Sequence, residues 1–291
     1  MVEYALFLGC TTPSRVLDME LATRKVFDAL GVRLHDMKGA GCCGPVHIES
    51  LDHKTWLANA ARNIAIAEEM GMDILTVCNG CVATLDAVNK TLKRDAELRG
   101  EVNQILADVG REFKGTIEVH HVLDVLSQEE MAEKIRQSVV RPLKGIRAGV
   151  HHGCHLLRPS DFRKLDDPMN PRVLSKMVEV LGATSVPYVR EMLCCGSGLR
   201  GIEDGISMEM IREKLRNVQE AGANCIVTSC PFCFLQYDMG QIEVQRKFKE
   251  EYNLPVLHYQ QLLAIALGMD VGKLGLDTHK VKADALLGKL K

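Results

Sequence analysis

Ten of the eleven cysteines fall into two series: Cys10, Cys42, Cys43, Cys78 and Cys81, then Cys154, Cys194, Cys195, Cys230 and Cys233. Each series is a lone cysteine, an adjacent pair followed by glycine, and a C-x2-C placed 34 residues beyond the pair. Residues 42, 43, 78 and 81 recur at 194, 195, 230 and 233, a common offset of 152 (194 minus 42), and only the first spacer grows, from 31 to 39 residues. Thiolates at such spacings bind soft metals, exchange disulfides or act as nucleophiles.

Composition narrows that choice. Eleven cysteines in 291 residues are 3.8% of the chain, below the roughly 8 to 10% of a disulfide scaffold, and a chain this long needs no staples. Zinc is served by C-x2-C pairs, but a structural zinc site takes four ligands, and each series offers five. A C-x2-C redox pair would leave Cys10 with Cys42-Cys43, and Cys154 with Cys194-Cys195, unexplained. An iron–sulfur cluster spreads several irons over a few ångströms, so adjacent thiolates can reach different irons. Standard cubane clusters use four cysteines; the fifth is then a bridging ligand, the mark of an atypical cluster, or a spare.

The elements that must position these thiols repeat as well. FDALGVRLHDMKGAGCCG at Phe27 to Gly44 parallels VEVLGATSVPYVREMLCCG at Val178 to Gly196, and EEMGMDILTVCNGC parallels QEAGANCIVTSCPFC. IEVHHVLDVL at Ile117 and LPVLHYQQLL at Leu254 close the two halves. Two homologous domains are expected, 1–145 and 146–270, related by pseudo-two-fold symmetry, with a tail at 271–291. Short apolar runs alternate with amphipathic stretches. YALFLG, VRLHDM and DILTVC read as strands, as do RAGVHHG, TSVPYV and CIVTSC in the second half. Helices are expected between Val16 and Leu30, Trp56 and Met70, and Val82 and Leu92, then over Val173 to Leu181, Ile206 to Ala221 and Phe234 to Phe248. The predicted class is therefore α/β, with parallel-sheet cores covered by helices. Cys10, Cys78, Cys154 and Cys230 then end strands, where open α/β sheets bind ligands, and the five cysteines of each half can converge at one sheet edge.

Charge excludes other classes. Charged residues make up 25% of the chain and balance to a formal net charge of −2, so no excess of one sign recruits nucleic acid or anionic lipid. The start MVEYALFLGC has no basic region followed by an apolar run, and no stretch approaches the ~18 apolar residues of a membrane span. A cytoplasmic protein with reduced thiols is expected.

The motifs GC, CCGP and CNGC, then HHGCHLLRP, CCGSG and SCPFC, resemble the cysteine-rich CCG domain family, and their tandem arrangement over nearly the whole chain is similar to the B-subunit family of heterodisulfide reductases. That resemblance implies a noncubane [4Fe-4S] cluster in each half, held by the ten cysteines. It also implies a small-molecule substrate, the mixed disulfide of coenzyme M and coenzyme B, reduced to two thiols between the clusters, each cluster giving one electron and capturing one sulfur. The partners it implies are a small ferredoxin-like subunit (the C-subunit of such complexes) and, beyond it, a flavoprotein (their A-subunit). Electron-transfer subunits of lactate- and glycolate-oxidising complexes carry similar motifs and are the alternative. Several of these add a C-x2-C-x2-C-x3-C-P segment on the same chain, which this sequence lacks.

The substrate so implied carries sulfonate, phosphate and carboxylate groups. His152, His155, Arg158 and Arg200 are the nearby candidates to meet them, Arg158 and Arg200 because guanidinium matches planar oxyanions. His151, His152 and His155 flank Cys154 and could relay a proton or hydrogen-bond a cluster sulfur; His152 and His155 are taken as the proton donors. His121 and His258 occupy matching repeat positions and read as structural. Cys225 aligns with Asp73 and reads as a core residue. Gly44 and Gly196 permit tight turns, and Pro45 and Pro231 restrict adjacent loops. RPSDFRKLDDPMNPR reads as a polar, solvated insertion that could shape a substrate entrance. The tail KLGLDTHKVKADALLGKLK is expected either to dock a partner protein or to fray.

Overall fold

The computed structural model describes residues 2–288. It contains two four-stranded parallel sheets built to one plan. The first is ordered β2-β1-β3-β4, with β1 at Val2–Phe7, β2 at Val32–Asp36, β3 at Ile74–Thr76 and β4 at Val119–His121. The second is ordered β6-β5-β7-β8, with β5 at Arg147–His151, β6 at Thr184–Ser185, β7 at Cys225–Thr228 and β8 at Val256–His258. All pairings are parallel, so every connection must cross over the sheet, and helices supply the crossovers. Both sheets are thereby covered, which is why strands such as β3 and β7 are buried along their whole length.

In this strand order, β1 and β3 are neighbours whose connections leave in opposite directions, and the crevice between them is where α/β sheets take ligands. Phe7 pairs with Thr76 in the first sheet, and His151 with Thr228 in the second. The loops bearing Cys10 and Cys78, and those bearing Cys154 and Cys230, therefore emerge side by side.

Local chemistry fixes the flanking helices. The helix His53–Met70 starts at Asp52, whose side chain accepts from the Thr55 N–H at 3.0 Å, and stops at Gly71 in the left-handed region. Cys78 and Cys230 are the N-cap residues of the helices Asn79–Arg94 and Pro231–Phe248, the latter opened by proline. At the ends of β4 and β8 the side chains of Asp124 and Gln261 accept the N–H groups of His121 and His258, and His121 Nδ1 also accepts the Leu123 N–H, the structural role their repeat positions suggest. Cys225 is fully buried in β7.

Three expectations change. The predicted strand TSVPYV shrinks to Thr184–Ser185, because Pro187 has no N–H to continue the ladder. The insertion is solvent-exposed over most of its length, as expected, but it is anchored where a free loop would not be: Arg163, 5% exposed, forms ion pairs with Asp124 at 2.7 Å and Asp86 at 3.3 Å, both in the other half. The tail docks on its own chain instead of fraying, with Leu274, Leu276, Val281, Ala283 and Leu286 buried. His279 Nε2 lies 3.0 Å from Asp18 Oδ2, and Asp238 accepts the N–H groups of Lys280 and Val281. Residues 289–291 of the tail lie outside the described residues.

Candidate metal centre

All five N-terminal cysteines line one recess, together with Leu8, Thr11, Pro45 and Gly80, and Pro231 and Phe232 reach in from the other half. In the C-terminal half, Cys154 Sγ lies 3.5 Å from Cys194 Sγ, and the sulfurs of Cys195 and Cys233 lie within 4.8 Å of each other and of a His151 nitrogen. All eleven cysteines are free thiols. Glycine makes this crowding possible. Gly9 and Gly153, each preceding the first cysteine of its series, have φ of +68° and +78°, and a Cβ on Gly9 would lie 2.9 Å from Cys81 Sγ. Gly44 and Gly196 turn the chain after each pair with φ of +78° and +76°.

The two nests meet. Cys78 and Cys230 lie close enough to shift each other's ionisation, and these residues are equivalents in the repeat (230 minus 78 is 152). Contact between equivalent residues is the signature of a two-fold axis, which here is a pseudo-axis within one chain. Asn79 donates to the His152 carbonyl at 2.8 Å, and His121 Nε2 lies 3.2 Å from the Ser229 carbonyl. The Asn79 side chain inside the first C-x2-C and the Ser229 backbone before the second are thus each tied to the opposite half.

The electrostatics suit a polycationic group. Hydrogen bonds from Cys154 and Cys195, with the Gly196 N–H, pull Cys194 down to about 2, while Cys154 is driven up. Cys43 is lowered by Cys42 and Cys81, and Cys230 by Cys233 and Cys78, while Cys81 and Cys233 rise. One thiolate in such a cluster forbids its neighbours from ionising. Five thiolates therefore need bound cations, and a single tetrahedral ion accepts four. The donor sets fit iron–sulfur clusters, with Cys10, Cys42, Cys43, Cys78 and Cys81 around one and Cys154, Cys194, Cys195, Cys230 and Cys233 around the other.

The cysteine-rich domain family, CCG, matches residues 4–86 and 148–238. The B-subunit of the ferredoxin:CoB-CoM heterodisulfide reductase of Methanosarcina mazei is 42% identical over all of this chain and 97% of that protein. This chain belongs to the tandem CCG family that includes the heterodisulfide reductase B-subunits. The 8-methylmenaquinol:fumarate reductase membrane anchor subunit of Wolinella succinogenes is 32% identical across 98% of this chain and 99% of that one. A crystal structure of a hypothetical protein from Helicobacter pylori shares the fold at a TM-score of 0.76 and 15% identity; the match covers 96% of this chain and 52% of that one. Among the described residues, no helix is long and apolar enough to cross a membrane.

The other predicted site residues separate. His155 and Arg158 line one cavity of about 370 Å³, walled by Trp56, Phe162, Pro45 and Val46, which shares Pro45 and Gly80 with the N-terminal recess. Arg158 also donates to the Pro168 carbonyl at 3.0 Å. His152 is absent from that wall: it is 1% exposed, burial pushes it down to about 4, and Nδ1 lies 3.6 Å from Glu191 Oε1. Arg200 pairs with Glu243 at 2.7 Å and donates to Gln236 at 2.8 Å. Gln236 in turn donates to the Cys195 carbonyl at 2.9 Å, so Arg200 braces the C-terminal CCG turn.

Sequence reading missed Lys214 and Tyr237. Lys214 is fully buried and donates to the carbonyls of Arg190 and Glu191 at 3.0 and 2.7 Å; Arg190 adopts φ of +58° in the loop that presents them. Its signal was a charge on a buried helix stripe, with Ile211, Leu215 and Val218 as its neighbours on that face.

Proposed function

We propose that this chain is the iron–sulfur subunit of a heterodisulfide reductase, cleaving the mixed disulfide of coenzyme M and coenzyme B into two thiols. The observation that carries this reading is that the two five-cysteine nests adjoin, with Pro231 and Phe232 lining the N-terminal recess and Asn79 bonded to the His152 carbonyl. Reducing RS–SR′ to RSH and R′SH consumes two electrons and two protons. Bound noncubane [4Fe-4S] clusters would supply the electrons one at a time, and a disulfide seated between the nests would present one sulfur to each. Pseudo-symmetry is thus matched to a two-electron bond. The domain division at 1–145 and 146–270, with the tail at 271–291, belongs to the same reading, as do a cytoplasmic location and two partners, one ferredoxin-like and one a flavoprotein.

The chain's own residues bind, orient and protonate. The cavity beside the N-terminal recess has the size and apolar walls of a small-molecule site. Arg158 on its wall is placed to hold an oxyanion of the substrate, and His155 to hand a proton to a leaving thiolate. His152, buried and held neutral, keeps the strand end packed and is not given that task. Arg200 is engaged by Glu243, and the substrate role is therefore assigned to Arg158.

The test is turnover by anaerobically prepared, iron- and sulfide-replete protein given electrons through a ferredoxin-like donor. The heterodisulfide should be reduced, with Arg158→Ala raising KM about 10- to 150-fold, the cost of a charge-assisted contact, at unchanged iron content. Cluster-replete protein that leaves the disulfide intact while passing electrons from lactate or glycolate through a flavin partner would overturn the assignment.

A further inference from the structure

We infer that the C-terminal nest is tuned by a buried hydrogen-bond donor, the His151 imidazole beside the sulfurs of Cys195 and Cys233, where the N-terminal nest has hydrocarbon. This rests on the reading that each nest holds an iron–sulfur cluster. It concerns how the two sites differ.

The repeat aligns His151 with Phe7, since each stands three residues before the first cysteine of its series. The fold agrees: Phe7 pairs with Thr76 and His151 with Thr228, which are themselves repeat equivalents. His151 is 2% exposed, and its Nε2 has no hydrogen-bond partner within the protein. A nitrogen of this ring lies within 4.8 Å of both Cys195 Sγ and Cys233 Sγ. Nδ1 is taken: it lies 3.4 Å from Tyr237 Oη, with the two rings edge-on. A tyrosine hydroxyl donating to Nδ1 leaves the proton of a neutral imidazole on Nε2. The ring then holds an unpartnered N–H in the buried space beside these sulfurs. The equivalent of Tyr237 is Leu85 (237 minus 152), so Phe7 and Leu85, both fully buried, replace this pair in the N-terminal half.

A buried imidazole nitrogen without a partner is costly, and thiolate-bound sulfur is the acceptor at hand. Hydrogen bonds to cluster sulfurs stabilise the reduced, more negative state and raise the potential. Lys214 adds to this effect. Its buried charge is felt by Cys233 and Cys195, whereas its equivalent Arg62 is only half-buried and donates to the Gly39 carbonyl at 3.0 Å. The N-terminal nest is the more open to solvent, since Cys10 and Cys42 are exposed whereas their C-terminal equivalents Cys154 and Cys194 are half-buried. One centre is therefore tuned from inside and the other lies more open to solvent. His151 is a positioning residue whose effect is read as a potential.

The experiment is a potentiometric titration followed by electron paramagnetic resonance, after iron and acid-labile sulfide have been measured. His151→Phe, which installs the N-terminal residue, should lower the potential of one centre by about tenfold in its reduction equilibrium, ~59 mV for one electron. The other centre should not move. The centre that moves should be the one absent from Cys195→Ala. His151→Gln, which keeps an N–H donor, should recover part of the shift, and Tyr237→Phe should produce a smaller shift of the same sign. If His151→Phe does not fold, the latter two variants decide. Equal movement of both centres, movement of neither, or loss of iron from the C-terminal site, which would make His151 a ligand, overturns the inference. Absence of iron and sulfide from the unaltered protein would instead sink the cluster reading on which it rests.

Discussion

Replacing Arg163 by methionine should loosen the joint between the halves at a cost that its geometry sets. The guanidinium is 5% exposed and reaches Asp124 through two bonds of 2.7 and 2.8 Å, Asp86 at 3.3 Å and the Leu156 carbonyl at 3.1 Å. Breaking a buried pair costs roughly 3 to 5 kcal/mol, mostly because a charge is left without a partner. Asp86 keeps Lys90 at 2.9 Å, and Asp124 is 16% exposed and still accepts the His121 N–H. The lower end, about 3 kcal/mol, is therefore expected, or about 6 to 12 °C in the melting temperature of a unit of this size. Anaerobic urea denaturation of the metal-free protein, compared with calorimetry, measures it. Asp124→Asn in the same chain should return part of the loss, because no lone carboxylate then remains. A loss below about 1 kcal/mol, the worth of an exposed pair, would refute the view that the insertion clamps the halves through a desolvated charge.

Acid should destabilise the metal-free protein before its carboxylates titrate. Burial holds His121, His152 and His258 at about 4, below the unfolded value of about 6.5, so the unfolded chain takes up protons first and stability falls as pH drops from 6.5 towards 4. The loss at pH 5 is on the order of 2 kcal/mol per histidine, and equal denaturation midpoints at pH 7 and pH 5 would contradict it. Gly9→Ala should reduce iron in the N-terminal nest, since its Cβ meets Cys81 Sγ at 2.9 Å. Gly39→Ala is the control: φ is +79° with nothing within 4 Å, so it carries the left-handed strain of about 1 to 2 kcal/mol without touching a ligand, and should keep its iron. Cys43→Ala and Cys195→Ala should each lose iron from one nest and spare the other, and loss of all iron from either would show that the nests share one centre.

The sequence alone determined the two-fold repeat, the parallel α/β plan and the ten thiols, because ligand spacing and hydrophobic period are local properties of the chain. Three of the first sheet's four strands appeared where short apolar runs predicted them, β4 being the one not read as a strand, and the helices carrying C-x2-C began at their cysteines. Proline at 187 ended one predicted strand early, a breaker legible in the sequence. Tertiary structure decided what no spacing encodes. It set Cys78 against Cys230, buried Arg163 in the opposite half, and folded the tail onto Asp18 and Asp238. It also separated four candidates that look alike in sequence, placing His155 and Arg158 in one cavity, His152 in the core and Arg200 behind a glutamate. Each is a contact between segments tens to hundreds of residues apart. A side chain's chemistry is written in its residue type, but its dielectric surroundings and its partners exist only once the two halves have closed on each other.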